Sequence, residues 1–321
     1  MTAPKPRAQF DLFIPLMRDL PLKDQRETME RPFFSLQKRK RLKPIEYQSP
    51  DGEVRVKVEA VPAYGMATIW DGDILIWAAS ALNRLREEGR NDIPRELKTT
   101  AYDLLRSIQR DTGGKGYVEL KAALDRLATT TIFTSIRAKR GRDSRFSWLD
   151  EWSVEVDPVT DKPIALKIVL SNWVYEGIIN EKSVLTMHPD YFQLSGGLER
   201  ALYRIARKHA GDQEQGWTCR VSLLHEKSGS DSAPKEFGRM LRKIVENNDL
   251  PEYDLTFTTA GDHSAAVHFI RRSAAERAGI RAELEAEAEK KARRTREDLR
   301  AAQIDGRAEP FASRRVTSAE G

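Results

Sequence analysis

The stretch "DRLATTTIFTSIRAKRGRDSRFSWLDEW", Asp125 to Trp152, decides how this chain is read. Helical spacing of apolar residues runs up to Leu127 and stops in Thr129, Thr130 and Thr131. An alternating run follows through Ile132, Thr134 and Ile136, then a knot of cations, then a second alternating run through Phe146 and Trp148. β-Branched residues with a period of two fit a pleated strand better than a helix. The stretch predicts a helix end followed by a two-stranded ribbon. The ribbon tip, "RAKRGRDSR", carries Arg137, Lys139, Arg140, Arg142 and Arg145.

Upstream of the ribbon the spacing predicts three helices. "DGDILIWAASALNRLREEGR" places Ile74, Trp77, Ala78, Ala81, Leu82 and Leu85 on one helical face and closes on Gly89. A second helix starts at Thr99 or Thr100, with Ala101, Leu104, Leu105 and Ile108 inward, and stops at Gly113–Gly114. A third has Leu120, Leu124 and Leu127 inward. Before them, Val54, Val56 and Val58 alternate with Arg55, Lys57 and Glu59, the pattern of a half-buried strand. Three helices and a ribbon is winged-helix order, a helix-turn-helix with a β-ribbon attached.

The order repeats downstream. A strand-like run holds Ile164, Leu166, Ile168 and Leu170 on one face. "SGGLERALYRIARKHAGD" and "APKEFGRMLRKIVENNDL" read as amphipathic helices, with the short segment "CRVSLLHEKSGS" between them. "EYDLTFTTAGDHSAAVHFI" reads as two strands around a Gly-Asp turn. The expected fold class is α+β, with two tandem winged-helix domains. A basic N-terminal arm covers 1–52, the first domain 53–160, the second 161–272, and a charged tail, helical or disordered, 273–321.

Composition narrows the partners. The 321 residues carry a net charge of +5, and 32% of them are charged, which fits an acidic partner. The one cysteine, Cys219, rules out an internal disulfide and a cysteine-based zinc site. The start, "MTAPKPRAQF", has no apolar core for export, and no apolar run reaches spanning length, so a cytoplasmic protein without a membrane segment is expected.

Duplex DNA is the acidic partner that suits this order. The third helix can enter the major groove while the ribbon follows phosphates, which gives salt-sensitive, sequence-blind affinity. In the first unit the outward positions of that helix include Lys121, Ala122, Asp125, Arg126 and Thr129. In the second, Lys235, Arg239 and Arg242 form one stripe opposite Phe237, Met240 and Ile244, with donors able to reach guanine edges or phosphates. Lys38, Arg39, Lys40 and Arg41 read as a basic arm or as a flexible spacer. For each of these clusters a plain solvated face is the competing account. Trp148, Trp152 and Trp173 are expected in the core.

Enzyme chemistry is not indicated. "DTGGKGY" lacks the upstream glycine and the following Ser or Thr of a phosphate loop and reads as a helix-ending turn. His188, His209, His225, His263 and His268 have no paired metal spacing. No catalytic residue, metal or cofactor is expected.

"RPFFSLQKRKRLKPIEY", "VRVKVEAVPAYGMATIWDGDILIWAAS", "SWLDEW" and "GGLERALYRIARKHAG" together resemble the replication initiator protein A family of plasmids and plasmid-like replicons, over about Phe33 to Arg272. The resemblance implies a non-enzymatic, sequence-specific DNA-binding protein that starts replication at its origin. It implies binding to origin repeats, help in opening an adjacent A·T-rich segment, and recruitment of the host initiator protein and replicative helicase. Repression of its own promoter as a homodimer is implied as well. A winged-helix repressor shares the local physics, and the DNA beside the gene discriminates: direct repeats next to an A·T-rich block for an initiator, a lone inverted repeat for a repressor.

Overall fold

The computed structural model describes residues 14, 21–138, 143–160, 163–180 and 183–273, together with Lys290 and Arg293, which are helical. Most of the expected tail over 273–321 thus lies outside the described residues.

In chain order, β1 (Leu22–Gln25) and α1 (Arg26–Met29) are followed by the hairpin β2 (Ile45–Gln48) and β3 (Arg55–Glu59). Val56 and Val58 of β3 point inward, as their alternation predicts. Next come α2 (Gly72–Glu87), β4 (Glu96–Thr99), α3 (Ala101–Ser107) and α4 (Gly114–Thr129). α2 is buried from Gly72 through Asn83 and so is apolar nearly all round, as suits a central helix. Thr100 caps α3, its Oγ1 accepting from Asp103 N at 2.9 Å. α3 ends earlier than its sequence suggests, with Gln109 at φ +55°. Gly113 and Gly114 begin α4 rather than ending α3.

The ribbon is β5 (Thr131–Thr134) and β6 (Ser144–Phe146). A second hairpin follows, β7 (Leu149–Val156) and β8 (Pro163–Leu170), then α5 (Asn172–Ile179) and β9 (Val184–Met187). After a 3-10 turn at Pro189–Gln193 come α6 (Gly197–His209), β10 (Trp217–Arg220), α7 (Val221–Ser228), α8 (Pro234–Asn247), β11 (Tyr253–Thr259) and β12 (Ala265–Arg271).

Sheet pairing changes the reading of the first half. β5–β6 does not close on its own helices' strand: it joins the earlier hairpin in the four-stranded order β2-β3-β5-β6. The strand between α2 and α3 pairs with the second hairpin instead, in the order β4-β8-β7. The later sheet has the matching order β10-β12-β11. Each half therefore runs helix, strand, helix, helix, hairpin, with the first strand paired to the last. β8 pairs with β4 and β7, which carries it across the boundary expected at 160/161.

The described part of the expected N-terminal arm, Ile14 and residues 21–52, is folded into the body. β1 pairs with β9, β2 with β3, and Ser35 bridges to Thr68. Its apolar residues are the cause. Phe34 stacks on Trp148 at 4.6 Å, Phe33 meets the edge of Trp148 at 5.8 Å, and Phe146 stacks on Trp173 at 4.3 Å. Trp148 and Trp173 are buried and Trp152 partly so.

The described residues up to Arg271 form one compact unit. Its two halves share buried ion pairs. Arg200 of α6 donates to Asp73 of α2 at 2.7 Å, with both side chains almost fully buried, and Arg110 reaches the other Asp73 oxygen at 3.1 Å. Arg204 of α6 lies 2.9 Å from Asp24 of β1. Glu30, beside α1, meets His209 at 3.0 Å with Lys208 and Lys227 at 3.8 Å. Burial alone would raise the Glu30 carboxyl; the His209 hydrogen bond and the Arg31, Lys208 and Lys227 charges outweigh it and hold it at about 2.

Candidate nucleic-acid interface

α8 is built to turn one face inward. Pro234 occupies its first turn, Asn248 ends it in the left-handed region, and Phe237, Leu241 and Ile244 are buried. Lys235, Arg239, Arg242 and Lys243 are therefore exposed. The stripe predicted from sequence is present as one surface, extended by Lys243. Arg239 forks onto Glu236, Nε to Oε2 at 2.9 Å and Nη2 to Oε1 at 2.6 Å, and its side chain stays 66% exposed. This pair holds the guanidinium extended at the surface. A phosphate or a guanine edge presents the same two-acceptor geometry as that carboxylate.

The hairpin beyond α8 adds hydroxyls and cations that sequence reading passed over. Thr256 and Thr258 of β11 are exposed, and Arg220 of β10 reaches Asp262 in the β11–β12 turn at 3.2 Å. Only pairing of β10 with β12 brings Arg220 there.

α4 holds the corresponding place in the first half. Its exposed residues lie in the N-terminal half: Lys115, Tyr117, Val118, Glu119 and Lys121. Val118 is 71% exposed. Lys121 is where the sequence puts it, but Arg126 is not. Its guanidinium turns inward and forks onto Asp71, Nε to Oδ2 at 2.7 Å and Nη2 to Oδ1 at 2.8 Å. Thr129 is half-buried, its hydroxyl donating to the Asp125 carbonyl at 2.7 Å. The outward positions named from the sequence start at Lys121, so Lys115, Tyr117 and Val118 are additions of the structure. A helix begun at Gly114 puts Val118 opposite Leu120 and Leu124.

The basic ribbon divides. Arg145 is exposed, 5.2 Å over the Phe133 ring, on the same outward sheet face as Lys57. Arg137 is a packing residue: it lies 3.8 Å over Trp173 and 2.9 Å from Glu27, and burial lowers its pKa more than Glu27 raises it. Lys139, Arg140 and Arg142 lie outside the described residues. Among the described residues the β7–β8 hairpin, which holds the place of the β11–β12 hairpin, exposes no cation: its exposed positions include the acidic Asp150 and Glu151 and the apolar Val154, Val156, Val159 and Ile164.

In the N-terminal segment Lys38, Arg39 and Lys40 are exposed. Lys38 lies 5.1 Å over Trp70, Arg39 donates to Gln37 at 2.6 Å, and Lys40 donates to the Ala63 carbonyl at 2.7 Å. Arg41 is buried and donates to the carbonyls of Gly229 at 2.6 Å and Lys43 at 3.0 Å. It is a strut between the segment and the end of α7 and has no donor face for DNA.

A cleft of about 510 Å³ opens between α4, the start of α2 and the loop before α6, lined by Arg110, Arg126 and Arg200. All three are engaged by Asp71 or Asp73, while the exposed Lys38, over Trp70, also lines the cleft. Among the described residues no cluster of His, Cys, Asp and Glu is arranged to hold a metal ion, and no helix is long and apolar enough to cross a membrane.

The family model described as "Replication initiator protein A" matches residues 23–255. A protein from Wigglesworthia glossinidia brevipalpis, described as "Putative replication protein", is 32% identical over 239 residues, covering 73% of this chain and 84% of that one. Among solved structures, the crystal structure of domains 2 and 3 of RctB is similar in fold, with a TM-score of 0.53 at 12% identity, over 75% of this chain and 95% of that one.

Proposed function

The chain belongs to the replication initiator protein A family, and from that premise we propose that it is a non-enzymatic initiator with two winged-helix reading heads that binds repeated sites in duplex DNA at its origin. The first head is α2, β4, α3, α4 and the β7–β8 hairpin; the second is α6, β10, α7, α8 and the β11–β12 hairpin. The boundary between them falls after β8 rather than at 160/161.

One observation carries the proposal. In the second half, the helix that stands third in its unit presents Lys235, Arg239, Arg242 and Lys243 together on its exposed face. Several exposed cations on one side of a helix suit phosphates and base edges, and Arg239 already sits in a two-bond geometry with a carboxylate. α4 provides the second contact through Lys115, Lys121 and the apolar Val118, a side chain suited to a thymine methyl. Arg145 and the exposed Arg55 give the β2-β3-β5-β6 sheet a phosphate-facing surface.

On this reading, binding at repeats helps open an adjacent A·T-rich segment and brings in the host initiator protein and replicative helicase. A second copy of the chain joins when the protein represses its own promoter. The test is a footprint of the full chain across DNA flanking its own gene, over a salt series. Protection of regularly spaced direct repeats that survives the salt at which bulk DNA is released supports the initiator. Protection confined to a promoter supports a repressor, and no sequence-specific protection at any salt overturns both.

A further inference from the structure

Glycine inside a helix destabilises it relative to alanine, so its presence asks for a reason. Gly116, Gly177 and Gly238 lie inside helices beyond the first residue. Two have their reason within the chain. A Cβ on Gly116 would collide with the Asp111 carbonyl, and one on Gly177 would come within 2.6 Å of Gln25 Nε2 and 2.8 Å of an Arg137 nitrogen. Gly238 has none: a Cβ there meets nothing within 4 Å, and its φ is not left-handed. Neither packing nor backbone conformation calls for glycine.

Its position supplies the missing reason. Gly238 lies one turn from both Lys235 and Arg242, on the flank of α8 that borders the exposed cationic stripe. The helix surface is thus lowest beside its most strongly charged positions. A surface recessed by one side chain and rimmed with cations suits a polyanion backbone that must come close to the helix axis. Closer approach shortens the reach of Lys235 and Arg242 to phosphates and of Arg239 to a base edge.

We propose that Gly238 is the close-approach position of α8, where the sugar-phosphate backbone of bound duplex lies against the bare helix and fixes the depth at which the neighbouring cations enter the groove. This rests on the initiator reading above. It assigns Gly238 a positioning role that involves no charge and no hydrogen bond of its own side chain.

The test uses the full chain and the DNA site found by footprinting. Gly238→Ala and Gly238→Leu are compared with the parent by thermal melting and by equilibrium binding over a salt series. Alanine should melt at or above the parent, because the helix gains propensity and nothing is crowded. Its affinity should fall roughly 10-fold, as expected of an added methyl in a close-packed contact, and leucine's should fall further. The slope of log K against log salt should stay as in the parent, because no cation has been removed. Parent-like affinity in both variants overturns the assignment. A parent chain that protects no specific site overturns the initiator reading instead, and the two failures are told apart by the parent alone.

Discussion

The Arg126 guanidinium and the Asp71 carboxylate meet in a two-bonded fork, at 2.7 and 2.8 Å, that ties the last turns of α4 to the residue preceding α2. Asp71 Oδ2 also accepts from Thr68 N at 2.8 Å, so three donors converge on one buried carboxylate. A cation that the helical wheel turns outward is thereby half-buried and engaged by a buried carboxylate. Arg126→Ala should destabilise the fold by roughly 2–4 kcal/mol, since Asp71 would stay buried without its partner. DNA affinity of the folded variant should change by no more than about 2-fold, in contrast to a groove contact. Chemical denaturation and binding measured on the same preparation check both parts.

Arg239 is exposed and held by Glu236, which makes it the sharpest base-reading candidate on α8. Arg239→Ala should cost about 1–3 kcal/mol on the specific site and relax the preference at one base pair. Titration against the site and its single-base variants reads the outcome. Equal losses on every sequence would make Arg239 a phosphate contact.

Glu236 competes with DNA for that guanidinium. Glu236→Gln should raise affinity by about 2–3-fold, because the rival charge-assisted pair is gone and the helix is otherwise untouched. Melting should move little, since the pair is exposed at the surface and such pairs contribute little.

Lys121 is exposed on α4 and reads as a phosphate contact. Lys121→Ala should weaken specific and non-specific duplex alike and reduce the salt slope by about 1. A loss confined to one sequence would make it a base contact.

Glu30 gives the fold an acid-sensitive joint. Its carboxyl sits at about 2 in the folded chain against an ordinary 4.5. The folded value is the lower one, so this contribution is fully present above about 4.5 and is lost as pH falls from there towards about 2. Glu30→Gln should remove roughly 1–3 kcal/mol at neutral pH, a figure reduced for partial solvent access, and flatten the acid limb of the stability curve. Melting between pH 7 and pH 3 checks it.

α2, α3, α4, α6 and α8 were legible because each carries apolar residues at helical spacing, as Leu120, Leu124 and Leu127 do, whereas α1 and α5 were not read as helices. The ribbon was legible as a ribbon, for the same local reason. Its partners were not: Lys57 opposite Phe133 is a pairing across long sequence separation that no periodicity encodes. This is why β5–β6 was expected to close on the three helices before it, whereas it is β7–β8 that pairs with β4. The basic stripe of α8 could be read because core and charge lie on one short helix. The inward turns of Arg126 and Arg137 could not, because Asp71 and Glu27 come from distant segments. The burial of Arg41 hangs on the Gly229 carbonyl, 188 positions away.

The buried pairing of Asp73 with Arg200 and Arg110 has a mechanical corollary. Parting the two halves at this joint would break a charge pair that is almost fully buried, so α4 and α8 are held like the jaws of a fixed gauge. A gauge of this kind does not stretch to suit its workpiece. When both jaws engage a duplex whose natural twist or curvature does not match their separation, the misfit falls on the softer body, the DNA, where flexible steps yield first. Stiffness in the protein then becomes torque on the site it holds.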